Sequence, residues 1–200
     1  MQSPFCFIVK PYNDRRYDNI KYYGDKKFFI STSEEDHTVS TRFATVVNTP
    51  INYKGKIQKG DTLVVHHNVF KYYNDIYGRQ KSGRSWIIDD LFLVDDYQFY
   101  MYKQNDNWYS HDKYCFIKPI PIEKKYIDVA ESEEPLWGIV KYGNKQLERL
   151  NILPGDKVSF QPNSEYEFKI DDEKLYRMYT NNITLKDGHK SNKTTNHTSW

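Results

Sequence analysis

Gln58-Lys59-Gly60-Asp61-Thr62-Leu63-Val64-Val65-His66-His67 is a Gly-Asp turn that feeds a β-branched, apolar run. Glycine adopts the left-handed backbone angle of a tight turn, and aspartate hydrogen-bonds the neighbouring backbone. The residues that follow are strand formers. A second such corner stands at Leu153-Pro154-Gly155-Asp156-Lys157-Val158-Ser159-Phe160. One corner of this kind is common in β proteins. Two of them, with similar sequence on both sides, point to a duplicated β-barrel unit.

Working outward, Phe5-Cys6-Phe7-Ile8-Val9-Lys10-Pro11 is an apolar strand stopped by proline, and Tyr114-Cys115-Phe116-Ile117-Lys118-Pro119 repeats it with one residue deleted. Aligned on Cys-Phe-Ile, Cys6 and Cys115 are expected to be equivalent small buried residues rather than a disulfide or metal pair. Ser40-Thr41-Arg42-Phe43-Ala44-Thr45-Val46-Val47 makes the strand before the first corner. Beyond each corner lies a meander whose registers agree: Leu91 with Leu175, Phe92 with Tyr176, Val94 with Met178, Phe99 with Ile183. The predicted fold class is all-β, two tandem small β-barrels. The units are 1–110, with a long polar loop over 12–40, and 111–186; a polar tail covers 187–200, and 103–112 is read as the connection.

The chain has 200 residues with 16% aromatics, and 29 basic against 27 acidic side chains give a formal net charge of +2. That balance supplies no general electrostatic reason to expect nucleic acid or an anionic membrane as partner. No apolar run approaches the roughly 18 residues that span a bilayer. The start has no basic segment before its short apolar strand, so no signal peptide is read. Two cysteines are too few for a disulfide framework. The expectation is a cytoplasmic protein.

Candidate chemical groups have plainer explanations. Adjacent His66 and His67 on a strand face opposite sides and do not converge on one metal. Asp89-Asp90, Asp95-Asp96 and Asp171-Asp172 each fall at a turn between apolar strands, which explains them without acid–base catalysis. No nucleophile, phosphate loop or metal cluster is found. No enzyme activity, cofactor or metal is expected.

Together these elements resemble the GroES-type co-chaperonin family, the second unit more closely. Leu136-Trp137-Gly138-Ile139-Val140-Lys141-Tyr142-Gly143 is similar to the family's Gly-x-Val strand, and Leu153 to Phe160 to its Gly-Asp-x-Val-x-Phe corner. The run from Tyr166 to Met178 resembles its hairpin, and Asn182-Ile183-Thr184-Leu185 its closing strand. In the first unit Phe43 is expected where the family has Gly, and an insert from Lys71 to Arg84 lengthens the region after the corner. Tandem fusions and divergent phage members occur in the family, and the recurrence of Lys, Asn, Ile and Tyr, whose codons are AT-rich, is compatible with a phage or organellar origin.

The resemblance implies two GroES-like barrels in a homo-oligomeric lid that closes a GroEL-type chaperonin ring and assists protein folding. In the family an apolar tripeptide in the loop after the first strand makes the contact. The matching place here is Phe28, Phe29 and Ile30 in the first unit. Tyr126, Ile127 and Val129 are a weaker candidate in the second. An ordinary strand at 27–31 is the alternative reading. Two other functions stay open: a phage virion or assembly component that reuses the barrel, and a nucleic-acid-binding β-barrel, opposed by the near-neutral charge.

Overall fold

The structure, a computed structural model, describes residues 1–17, 20–29, 40–122 and 133–188. It is predominantly β, with two compact units, Met1–His111 and Asp112–Trp200. The first contains β1 (Phe7–Pro11), β2 (Ile20–Tyr23), β3 (Lys26–Phe29), β4 (Phe43–Asn48), β5 (Thr62–Val65), β6 (Tyr72–Asn74), β7 (Gln80–Ser82), β8 (Trp86–Ile88), β9 (Leu91–Val94), β10 (Phe99–Gln104) and β11 (Asn107–Ser110). The second contains β12 (Tyr114–Pro121), β13 (Glu133–Tyr142), a short helix α1 (Lys145–Arg149), β14 (Lys157–Phe160), β15 (Tyr166–Ile170), β16 (Glu173–Tyr179) and β17 (Ile183–Lys186). No helix among the described residues is long and apolar enough to cross a membrane.

The main sheet of the first unit has the order β11-β10-β5-β4-β1-β9-β8. Written in the matching sense, that of the second is β17-β14-β13-β12-β16-β15. Apart from β11 the two orders coincide. The corners share their glycine conformation and two hydrogen bonds. Gly60 and Gly155 both have φ of 95°. The Gly60 amide donates to the Val46 carbonyl, and the Gly155 amide to Val140, both at 2.8 Å. The Asp61 carboxylate accepts from the Gln58 amide at 2.8 Å, and the Asp156 carboxylate from the Leu153 amide at 2.7 Å.

Register corrects two sequence equivalences. Val9 pairs with Val46 and Pro11 with Ala44, as Ile117 pairs with Val140 and Pro119 with Gly138. On the other side Phe7 pairs with Val94, and Cys115 with Met178. Phe7 therefore corresponds to Cys115, and the cysteines are not equivalent. Pairing ties the two strands at their Lys-Pro ends, so the deleted residue falls ahead of Cys115. Cys115 is fully buried, and burial pushes its thiol up to about 12. Cys6 lies before β1, half-buried, with its thiol donating to Asp95 Oδ1 at 2.8 Å. By the same register Ala44, not Phe43, takes the place of Gly138. A β-carbon on Gly138 would run into the Ile117 side chain and lie 2.8 Å from the Lys118 carbonyl oxygen.

The cores repeat too. Val9, Val46, Ile57, Leu63, Val65 and Val94 cluster in the first unit. Ile117, Val140, Ile152, Val158, Phe160 and Met178 cluster in the second. The predicted barrels are not closed, because each sheet ends in open edges, β8 and β11 in one, β15 and β17 in the other. Closure needs those edges to pair. Instead β8 is three residues long with a register irregularity, and β11 folds back on β10 alone. The expected connection at 103–112 is mostly that hairpin, turned by Asn105 and Asp106, both at positive φ as a type I′ turn requires.

Candidate functional site

The segment between β1 and β4 is not a bare loop. After a 3-10 turn at Tyr12–Asp14, β2 and β3 form a separate hairpin, with Tyr23 opposite Lys26 and Ile20 opposite Phe29. Gly24 turns it at φ of 60°. Phe28 sits opposite Lys21 and is 49% exposed. Phe29 ends β3; Ile30, the third residue of the expected anchor, lies outside the described residues. So do Tyr126, Ile127 and Val129. Phe28 and Phe29 thus belong to a strand, but to one outside the main sheet.

The foot of this segment is held by the insert of the first unit. Tyr17 and Ser40 form a β-bridge, and the Thr41 amide donates to the Arg16 carbonyl at 2.9 Å. The Arg16 guanidinium lies 3.4 Å above the Tyr72 ring. Its Nε donates to the Phe70 carbonyl at 2.9 Å and its Nη1 to Ser82 Oγ at 3.1 Å. Tyr17 accepts from the Tyr72 amide at 2.7 Å and stacks on its ring, with centroids 5.8 Å apart. Ser40, buried, donates to the His67 carbonyl at 3.0 Å. Burial lowers the Arg16 pKa, with the neighbouring tyrosines opposing. The guanidinium stays charged at any ordinary pH, so the clamp is a permanent cation–π and hydrogen-bond staple.

In the second unit the matching segment rejoins the sheet at Glu133, in an ion network. Lys174 Nζ lies 2.8 Å from Glu133 Oε1, and the Tyr176 hydroxyl donates to the same carboxylate. Glu173 takes Lys118 at 2.6 Å and Lys141 at 2.7 Å. These residues come from β12, β13 and β16, so no local motif announces them. Lys118 and Lys141 hold the Glu173 carboxyl below its usual value. Burial pushes Glu133 up, but Lys174 and Tyr176 outweigh it and the net shift is downward.

The other sequence candidates fall as follows. His66 and His67 lie just past the end of β5, not on it, and their rings pack face towards face at 4.1 Å, correcting the opposed placement. Leaving the strand frees the backbone to bring neighbouring side chains together. Asp89, Asp171 and Asp172 are turn residues at positive φ. Among the described residues no group of His, Cys, Asp or Glu is arranged to hold a metal. The arrangement is an exposed aromatic side chain on a hairpin outside the main sheet, in a segment whose foot is stapled by Arg16. No protein-family model matches the chain, and no curated protein matches it.

Proposed function

We propose that this chain is a co-chaperonin-like lid. Two GroES-like units per chain assemble as a homo-oligomer and cap a GroEL-type chaperonin ring through an apolar segment, assisting protein folding in the cytoplasm (a host's, if the chain is of phage origin). The observation that carries the reading is Phe28. It stands half exposed on a hairpin that leaves between the first two strands of a duplicated unit. That is where the resemblance puts the partner contact. The repeated strand order and the repeated corner support the tandem reading.

Such a lid needs no acid, base or nucleophile. Burial of Phe28, Phe29 and Ile30 in a groove supplies on the order of 5 kcal/mol per subunit before ordering costs, at about 1.5–3 kcal/mol each. Several such contacts on one oligomer then act together by avidity. The test is to mix the protein with a bacterial chaperonin and ATP and to size the mixture. Co-migration is expected, and replacing Phe28, Phe29 and Ile30 by serine should abolish it. Failure to co-migrate with the chaperonin of any plausible host overturns the reading.

A further inference from the structure

The insert lies in the step 66–85 between β5 and β8 and has no counterpart in the second unit, where 161–165 covers the same step. It carries Lys71, Arg79, Lys81 and Arg84 against the single carboxylate Asp75, a local excess of positive charge in a nearly neutral chain. β6 and β7 pair to form its hairpin. Asp75 fixes the tip by accepting from the Tyr77 and Arg79 amides, both at 2.9 Å. Ile76 and Tyr77 are thereby presented to solvent at 91% and 77% exposure, with Arg79 5.7 Å from the Tyr77 ring. Beside the hairpin lies a cleft of about 590 Å³, whose lining includes Lys71, Tyr73, Arg84, Asp95, Tyr97 and Gln98. Tyr73 and Tyr97 are both exposed.

Cations interleaved with exposed rings around a ligand-sized cleft match the needs of a nucleotide: a π-face for the base and positive charge for the phosphate. Asp95 separates this from an acidic peptide. A carboxylate entering the cleft meets another carboxylate, whereas a base amino group meets an acceptor with lone pairs to spare beyond the Cys6 thiol and the Tyr97 hydroxyl it already receives. We propose that the cleft and hairpin of the first unit bind single-stranded nucleic acid, one base seated among Tyr73 and Tyr97 and the backbone phosphates on Lys71, Arg79, Lys81 and Arg84.

The test is fluorescence anisotropy of the full-length protein with labelled oligo(dC) and oligo(C) of about twelve nucleotides, whose bases carry the amino group. Binding is expected in low salt and should weaken with log salt at a slope of about −2 to −3, roughly −0.7 per phosphate neutralised. Arg84→Gln should make the slope shallower by about 0.7. Tyr73→Ala should weaken binding about ten-fold or more at unchanged slope. Lys145→Gln, an equal charge loss on α1 of the second unit, should do neither. Absence of binding in low salt, indifference to Arg84→Gln and Tyr73→Ala, or equal displacement by polyglutamate would overturn the proposal. Competition by AMP as effective as that of the oligomer would overturn the strand as ligand.

Discussion

Asp61 and Asp156 each accept a backbone amide three residues upstream, and each follows a glycine held at a φ that side chains resist. That small device sets the direction in which β5 and β14 leave the turn. Burial raises the Asp156 carboxyl, but the Leu153 amide and the Lys186 ammonium outweigh it and leave it below the usual value. Glu133 and Glu173 are lowered as well. A carboxyl depressed on folding adds stability above its unfolded pKa of about 4, and that stability is lost as pH falls through the folded value. The urea midpoint of the second unit, followed by Trp137 fluorescence with Trp86, Trp108 and Trp200 replaced by phenylalanine, should therefore decline as pH falls from about 4 to about 2. A midpoint flat over that range would contradict the assignment. Gly138 gives a sharper test, since the Lys118 carbonyl in the way is backbone and cannot rotate aside. Gly138→Ala should cost about 1–3 kcal/mol in chemical denaturation, the range for overpacking.

At the scale of elements, the two departures of the first unit from the repeat hold one another. The segment over 12–40 and the insert within 66–85 meet at Arg16, Tyr17 and Tyr72. Arg16→Ala removes two hydrogen bonds and the ring contact together. It should destabilise the first unit by about 1–3 kcal/mol, read as a lowered denaturation midpoint, and speed chymotryptic cleavage at the β2–β3 hairpin. An unchanged midpoint would show the clamp to be ornamental. This coupling was not legible in the sequence, because Arg16 looks like a solvated loop charge and its partners lie more than fifty residues away. The hairpins were legible in principle. Tyr23-Gly24-Asp25-Lys26 and Gln104-Asn105-Asp106-Asn107 are turn sequences flanked by strand formers, yet both stretches read as polar loop or connection. Letter matching misled where register decides. Cys6 aligns with Cys115 by identity, but strand pairing is anchored at Lys10-Pro11 and Lys118-Pro119, which moves the gap.

For the whole molecule, the duplication was readable because its signals are local: a glycine, a capping aspartate and a β-branched run, twice. They give the order of elements along the chain; the hydrogen-bonded order, which also repeats, is seen only in the sheets. Closure of each sheet into a barrel was not readable, since it depends on whether short, irregular edges meet. The ion network around Glu133 and Glu173 was equally hidden, its members being brought together only by strand pairing. The lid account joins these levels: repeated units give the scaffold, and the segment after β1 gives the grip. Its most direct test is electron microscopy of the protein mixed with a chaperonin from a plausible host in the presence of ATP. The account predicts extra density capping the ring, present with the native chain and absent when Phe28, Phe29 and Ile30 are serine. Bare rings with the native chain, or caps that survive the triple substitution, would contradict it.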